Sequence, residues 1–260
     1  MATISATVVT LNEEENIRKC LESLTWCDEI IIVDSHSDDN TVKIAQEYTD
    51  KIFTYERTGY GDPAREKALK EASGDWICMI DADERIPEEV SVKLRKLVEK
   101  GSYDVIYVPR VNYILGQWIN CAGWWPDYRP VLHKKNVTIL SDEIHNFISF
   151  SDQAREIYLD ADKQNGITHF AYTGINDFIS RMNRYTDIEA EQATFSYRQL
   201  LVSPPQEFIN RYLLKQGFRK GFIGLLLAIF MSWYRFLVMA KAWQYENLGK
   251  DDKIGKKYES

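Results

Sequence analysis

Apolar residues fall into short β-branched runs, separated by stretches in which they recur every three or four positions. Ile4 to Thr10 is such a run; it stops at polar Asn12, and Ile17, Leu21 and Leu24 follow at helical spacing. Glu29 to Val33 contains Ile30, Ile31, Ile32 and Val33 in succession, a continuity suited to a parallel strand buried on both faces. Ser37, Asp38 and Asp39 supply N-cap chemistry before a short helix through Val42, Ala45 and Tyr48, and Lys51 to Tyr55 predicts the next strand. Pro63 opens another helix, to about Ala72. Trp76 to Ile80 is a fourth strand cut off by Asp81-Ala82-Asp83-Glu84, and Pro87 begins a helix with Val90, Leu94, Leu97 and Val98 on one face. Four βα units in a row predict an α/β fold with a doubly wound, mostly parallel sheet flanked by helices.

The second half reads differently. Val137 to Leu140 predicts a strand, Asn176 to Gln199 a long amphipathic helix, and Ser203-Pro204-Pro205 a break before further helix. Phe222 to Tyr234 carries no charge over 13 residues, about 20 Å of helix against a hydrocarbon core of about 30 Å. Extending it to Ala240 gives 19 residues and nearly reaches. The preferred reading is a helix lying in the cytoplasmic membrane interface. Lys215, Arg219, Lys220 and Lys241 would sit near anionic head groups, with Phe, Leu and Trp beneath. A spanning helix, or one docked on the rest of the chain or on a homodimer partner, stays open. The expected division is a catalytic domain over 1–200 and a helical C-terminal region over 201–260.

Composition narrows the classes. The chain has 260 residues and a formal net charge of -7, which argues against a nucleic-acid partner. Cys20, Cys27, Cys78 and Cys121 show no paired CxxC spacing and read as reduced core thiols. The first ten residues lack a secretory signal pattern, so a cytoplasmic location is expected.

Ligands of such sheets bind beyond the carboxyl ends of the strands, and acids gather there. Glu13 to Glu15 follow the first strand, Asp34, Asp38 and Asp39 the second, and Asp81 and Asp83 the fourth. Several of these acids have a plainer use at helix N-termini. Asp81 and Asp83 leave a buried strand two residues apart and repel one another unless a cation intervenes. Counting an EF-type loop from Asp81 puts Ile86 and Val92 where Gly and Glu are required, so calcium of that kind is excluded. Mg2+ or Mn2+ held by one or two carboxylates, with substrate phosphate completing its shell, fits better. Gly59-Tyr60-Gly61-Asp62-Pro63-Ala64 matches a dinucleotide fingerprint but lies outside the first βα turn. An NAD-dependent oxidoreductase and a non-catalytic sugar-nucleotide binder are the competing classes.

The residues resemble the family 2 inverting glycosyltransferases, which have the GT-A fold. The resemblance rests on Val8-Val9-Thr10-Leu11-Asn12-Glu13-Glu14 with Asn16, on Ile31-Ile32-Val33-Asp34-Ser35 with Asp39, Asn40 and Thr41, on Ala64-Arg65 with Ala68-Leu69, and on Ser73-Gly74-Asp75-Trp76 leading into Asp81-Ala82-Asp83-Glu84. Trp124-Trp125-Pro126-Asp127 with Arg129, Asp142-Glu143-Ile144-His145, Met182-Asn183-Arg184-Tyr185 and Lys215-Gln216-Gly217-Phe218 resemble the subgroup that adds glucose or a related sugar to the lipopolysaccharide inner core.

The resemblance implies a nucleotide pocket lined by Thr10, Asn12 and Glu14, with Asp34 at base or ribose and Arg65 near base or diphosphate. Asp81 and Asp83 become the DXD motif, Asp83 the direct metal ligand. The donor implied is a nucleotide sugar, UDP-glucose above all. The acceptor is a glycolipid at the inner membrane surface, with a polyprenyl phosphate or an exopolysaccharide intermediate as the alternative. Inverting transfer also needs a base for the acceptor hydroxyl, a task suited to a carboxylate. Asp142 and Glu143 are the first candidates and Asp127 the next. The chain departs from its relatives at Asn146, where they carry Glu directly after the histidine. Trp118, Trp124, Trp125 and Tyr128 read equally as core or as an acceptor-sugar platform.

Overall fold

A computed structural model of the chain describes residues 2–57, 62–140 and 148–249. The chain divides into two compact units, one of residues 1–112 and 126–171, the other of 113–125 and 172–260. The expected boundary near residue 200 therefore differs from this division, in which the helix after residue 174 groups with the tail.

The first unit opens with β1 (Ile4–Thr10), α1 (Ile17–Glu22), β2 (Glu29–Asp34), α2 (Thr41–Ala45), β3 (Ile52–Thr54), α3 (Asp62–Glu71) and β4 (Trp76–Asp81). β5 (Glu84–Arg85), α4 (Glu88–Lys100) and β6 (Val105–Ile114) follow. Strands β3, β2, β1 and β4 are parallel neighbours in that order. Both faces of this sheet are apolar, which explains the unbroken run in β2. Ile32 joins Ile4, Ala6, Val8, Ile17 and Leu94 in one cluster, while Ile31 and Val33 face Ala64, Ala68 and Leu69 of α3 in another. Helix α4 ends at Gly101, whose φ of 66° sets its N–H on the carbonyls of Leu97 and Val98.

Beyond β4 the parallel order stops. β8 (Tyr128–Lys134) inserts antiparallel between β4 and β6, and β12 (Ile167–Tyr172) carries the sheet on to β5. β11 (Glu156–Tyr158) pairs parallel with β6, and β9 (Thr138–Leu140) with β10 (Ile148–Phe150) forms a separate ribbon. The β6–β8 register shifts at Ile106/Tyr107, beside Pro130, where proline has no N–H for the ladder. β5 and β12 pair His169 with Glu84.

The second unit contains β7 (Gln117–Trp118), which pairs with Tyr113 and Ile114, and three helices: α5 (Ile175–Gln192), α6 (Tyr197–Ile209) and α7 (Gly221–Asn247). The single helix expected over 176–199 is thus two, and Ser203-Pro204-Pro205 does not break the chain. Both prolines lie inside α6. They remove two intrahelical donors, yet α6 packs along α7, and Ser232 Oγ donates to the Pro204 carbonyl at 2.8 Å. α5 buries Phe178, Met182, Thr186 and Ala190, one every fourth residue.

Candidate active site

The rim beyond β1, β2 and β4 is built by loops that hold one another. Asn12, at φ 54°, donates its N–H to Ser37 Oγ and accepts from Asp38 N–H, both at 2.8 Å. Glu14 accepts from the Asn40 N–H and Nδ2 at 3.0 and 2.9 Å, and Asp39 accepts from the N–H groups of Glu14 and Thr41. Asp34 is buried and receives the Ser37 N–H at 2.8 Å and Oγ–H at 2.5 Å. Thr10 is also buried, and its Oγ1 has no hydrogen-bond partner among the described residues. These acids and amides therefore shape the two loops, satisfying backbone groups that helix and strand ends leave open.

At the end of β4, Arg65 Nη2 donates to Asp81 Oδ1 at 2.6 Å. Burial would raise the Asp81 carboxyl, but the guanidinium groups of Arg65, Arg129 and Arg110 hold it well below the usual carboxylate range. Glu84, buried beside it, moves the other way: desolvation and the Asp81 charge push it up. Asp83 is almost enclosed, and the β5–β12 register sets His169 Nε2 3.6 Å from Asp83 Oδ1. The other imidazole nitrogen, Nδ1, lies 2.6 Å from Asn112 Oδ1. Asn112 Nδ2 must face a carboxylate oxygen, Asp127 Oδ2 at 3.0 Å, so its Oδ1 is the atom turned to His169. Nδ1 then carries a proton, and Nε2 is the nitrogen that faces Asp83.

Asp127 Oδ2 also accepts from Arg110 Nε and Nη2 at 2.8 and 2.6 Å. The shifted β6–β8 register makes this reach possible, since Arg110 N–H also donates to the Asp127 carbonyl at 2.7 Å. The structure thus joins Asp83, His169, Asn112, Asp127, Arg110 and Glu84 in one polar chain. Asp142, Glu143 and His145 lie outside the described residues, as do Gly59, Tyr60 and Gly61 of the dinucleotide-like segment. His169, Asn112 and Arg110 were missed by the sequence reading, because nothing local in their segments marks them; their one signal is the antiparallel pairing that brings them in.

Tyr128 stacks edge-on against Tyr158 and donates to the Leu159 carbonyl, whereas in the second unit Trp118 packs edge-on against Trp125 and Trp124 against Tyr172. Among the described residues no group of three His, Cys, Asp or Glu side chains is gathered for a metal ion; the Asp83 carboxylate and the His169 imidazole stand 3.6 Å apart.

Residues 5–164 match the family model described as Glycosyl transferase family 2. The lipopolysaccharide core biosynthesis glycosyltransferase LpsC of Rhizobium meliloti (strain 1021) is 30% identical, with 93% of this chain and 92% of the relative covered. An uncharacterized glycosyltransferase, RT0209, of Rickettsia typhi is 26% identical over 93% of this chain and 87% of its own. Among solved structures, S. aureus TarS 1–349 in complex with UDP aligns with a TM-score of 0.47 at 15% identity, covering 94% of this chain and 91% of that one.

Proposed function

The chain belongs to glycosyl transferase family 2, and from that premise we propose that it moves glucose, with inversion, from UDP-glucose to a glycolipid held at the cytoplasmic face of the inner membrane. The observation that carries this reading is the meeting of Asp83, His169 and the Arg65–Asp81 pair at the end of β4. The name of the R. meliloti relative supports a core oligosaccharide of lipopolysaccharide as acceptor.

Asp83 and His169 fit Mg2+ or Mn2+. A carboxylate oxygen and an imidazole nitrogen 3.6 Å apart are spaced as two ligands of one ion can be, and such ions leave their remaining positions to water and diphosphate. When bound, the ion neutralises charge on the departing diphosphate. Asp81 stands beside it as the second acid of the DXD motif. Arg65, Arg129 and Arg110 surround Asp81 with positive charge, fixed where the diphosphate gains charge. The Thr10, Asn12, Glu14 and Asp34 loops form the nucleotide side, and the unpartnered Thr10 Oγ1 is a polar atom a ribose or phosphate oxygen would satisfy.

Asp142 or Glu143 serves as base. As the acceptor oxygen bonds to the anomeric carbon, the carboxylate takes its proton, and the bond from that carbon to the diphosphate oxygen breaks with its electrons leaving on the diphosphate. The test is Asp83→Ala, assayed for transfer and for thermal stabilisation by UDP-glucose with Mn2+. Loss of turnover and of the Mn2+-dependent stabilisation is expected; full activity in the variant overturns the metal site.

A further inference from the structure

We propose that the turn between α6 and α7, residues 210–222, is a preformed tip that inserts into a bilayer carrying anionic lipid, so that the protein meets the membrane by this end of α7. The inference rests on the membrane-held acceptor reading above and adds to it which residues touch lipid.

The tip is exposed and apolar at the same time. Leu214 and Phe222 are 74% and 75% exposed, and Leu213 and Phe218 about half so. Four large apolar side chains left in water within ten residues make a patch rather than scattered exposure. They are held there by a stiff backbone. Asn210–Leu214 forms a π-helical turn and Gly217–Lys220 a 3-10 turn, joined through Gln216 at φ 57°. A Cβ on Gly217 would meet the Arg211 carbonyl at 2.7 Å, and one on Gly224 would meet the Gly217 carbonyl at 1.9 Å. Arg211 Nη1 donates to the Ala122 carbonyl and Ala122 N–H to the Lys215 carbonyl, at 2.8 and 2.7 Å. Rigid presentation means little ordering is left for docking.

Charge selects the occupant. Lys215, Arg219 and Lys220 flank the apolar residues, and among the described residues no carboxylate pairs with any of the three. Three other cations of this unit are tied to carboxylates. Lys241, expected at head groups, is instead turned inward: its Nζ lies 2.6 Å from Asp187 and donates to Asn183 and Thr186. Arg235 pairs with Glu189, and Arg211 with Glu207. Tyr234 OH donates to Glu189, and Tyr245 OH to Asp187. Arg219 donates only to the neutral Gln216 side chain and Lys220 lies over the Trp118 ring, so in a chain of net charge -7 three cations without a carboxylate partner among the described residues surround exposed Leu and Phe, the complement of an anionic lipid surface. The stretch Gly217–Asn247 is long and apolar enough to cross a membrane, but its polar ties to α5 and α6 bind it to protein along one face.

Sedimentation of the full chain with vesicles of phosphatidylethanolamine and phosphatidylglycerol tests the proposal. The wild type should partition to these vesicles and not to phosphatidylcholine. Replacing Lys215, Arg219 and Lys220 together by Gln should weaken partitioning on the order of 100-fold, from about fivefold per basic residue. Leu214→Ser with Phe222→Ser should also release the protein, whereas Trp233→Ser, farther along the exposed face of α7, should leave binding within about twofold. Equal loss in Trp233→Ser would mean that α7 lies flat, and it overturns the tip. So does absence of wild-type partitioning. Unchanged partitioning with conversion of a dimer to monomer in Leu214→Ser/Phe222→Ser would assign the patch to a second copy. The vesicles hold no sugar acceptor, so any of these failures leaves the transfer reaction to its own test.

Discussion

Asp127→Asn keeps the shape of the side chain, removes its charge and separates two roles. Asp127 Oδ2 takes three hydrogen bonds, two of them from Arg110. A bond to an ionised partner contributes about 1.5 to 3 kcal/mol and a neutral one about 1. Asparagine retains an acceptor oxygen but carries no charge, so each of the three bonds loses about 1 kcal/mol. Arg110 is only 16% exposed and would keep Glu84, at 3.4 Å, as its nearby anion. Asp127 itself is 29% exposed, and water makes up part of the loss. The variant should therefore be about 2 kcal/mol less stable, a fall in Tm of about 4 to 8 °C for a chain of this size. Because Asn112 links Asp127 to His169, kcat should fall about tenfold through a displaced imidazole. Urea unfolding and steady-state transfer at pH 7.5 measure both. A general base contributes roughly 100- to 10,000-fold. A loss of that size with an unchanged unfolding midpoint would make Asp127 the base and refute its role as a clamp.

Asp142→Ala and Glu143→Ala, made separately, should divide sharply: the variant of the base loses at least about 100-fold in kcat with unchanged UDP-glucose stabilisation, and the other stays within about tenfold. Equal, modest losses would place the base elsewhere. Glu29 gives a pH-dependent test. Burial opposes its ionisation, but Lys51, Ser5 and Ser73 overcome this and bring its carboxyl down to about 2 from an ordinary 4.5. Its contribution, about 3 kcal/mol, is therefore present above pH 4.5 and lost as pH falls toward 2. Glu29→Gln should be destabilised by about that amount at pH 7 and by about 1.4 kcal/mol at pH 3; the same difference at both pH values would refute the linkage.

The parallel half of the fold was legible because its signals are local. The Ile30 to Val33 run, the stop at Asp34 and the Asp81-Ala82-Asp83 exit each fit within a few residues, whereas the ion pair of Arg65 with Asp81 joins two separate segments. The antiparallel half was not. Nothing near Tyr128 says that β8 will lie between β4 and β6, and nothing near His169 says that its partner is Glu84, 85 residues earlier. Such pairings are settled by register across the sheet, not by period along the chain. The prolines of α6 misled for a related reason: local propensity forbids what packing against α7 sustains. Lys241 looked available because a sequence displays its charge and hides Asp187, 54 positions away.

The division of the chain also orders its biosynthesis. All of the first unit has left the ribosome once residue 171 emerges, but α5 follows and α7 ends only at Asn247. Synthesis of those 76 residues occupies roughly 4 to 15 s. Through that interval the Phe178 face of α5 lacks Phe230, its ring partner 4.9 Å away in the finished protein. Truncations that remove α7 would make this transient exposure permanent, and such chains are candidates for chaperone capture and proteolysis.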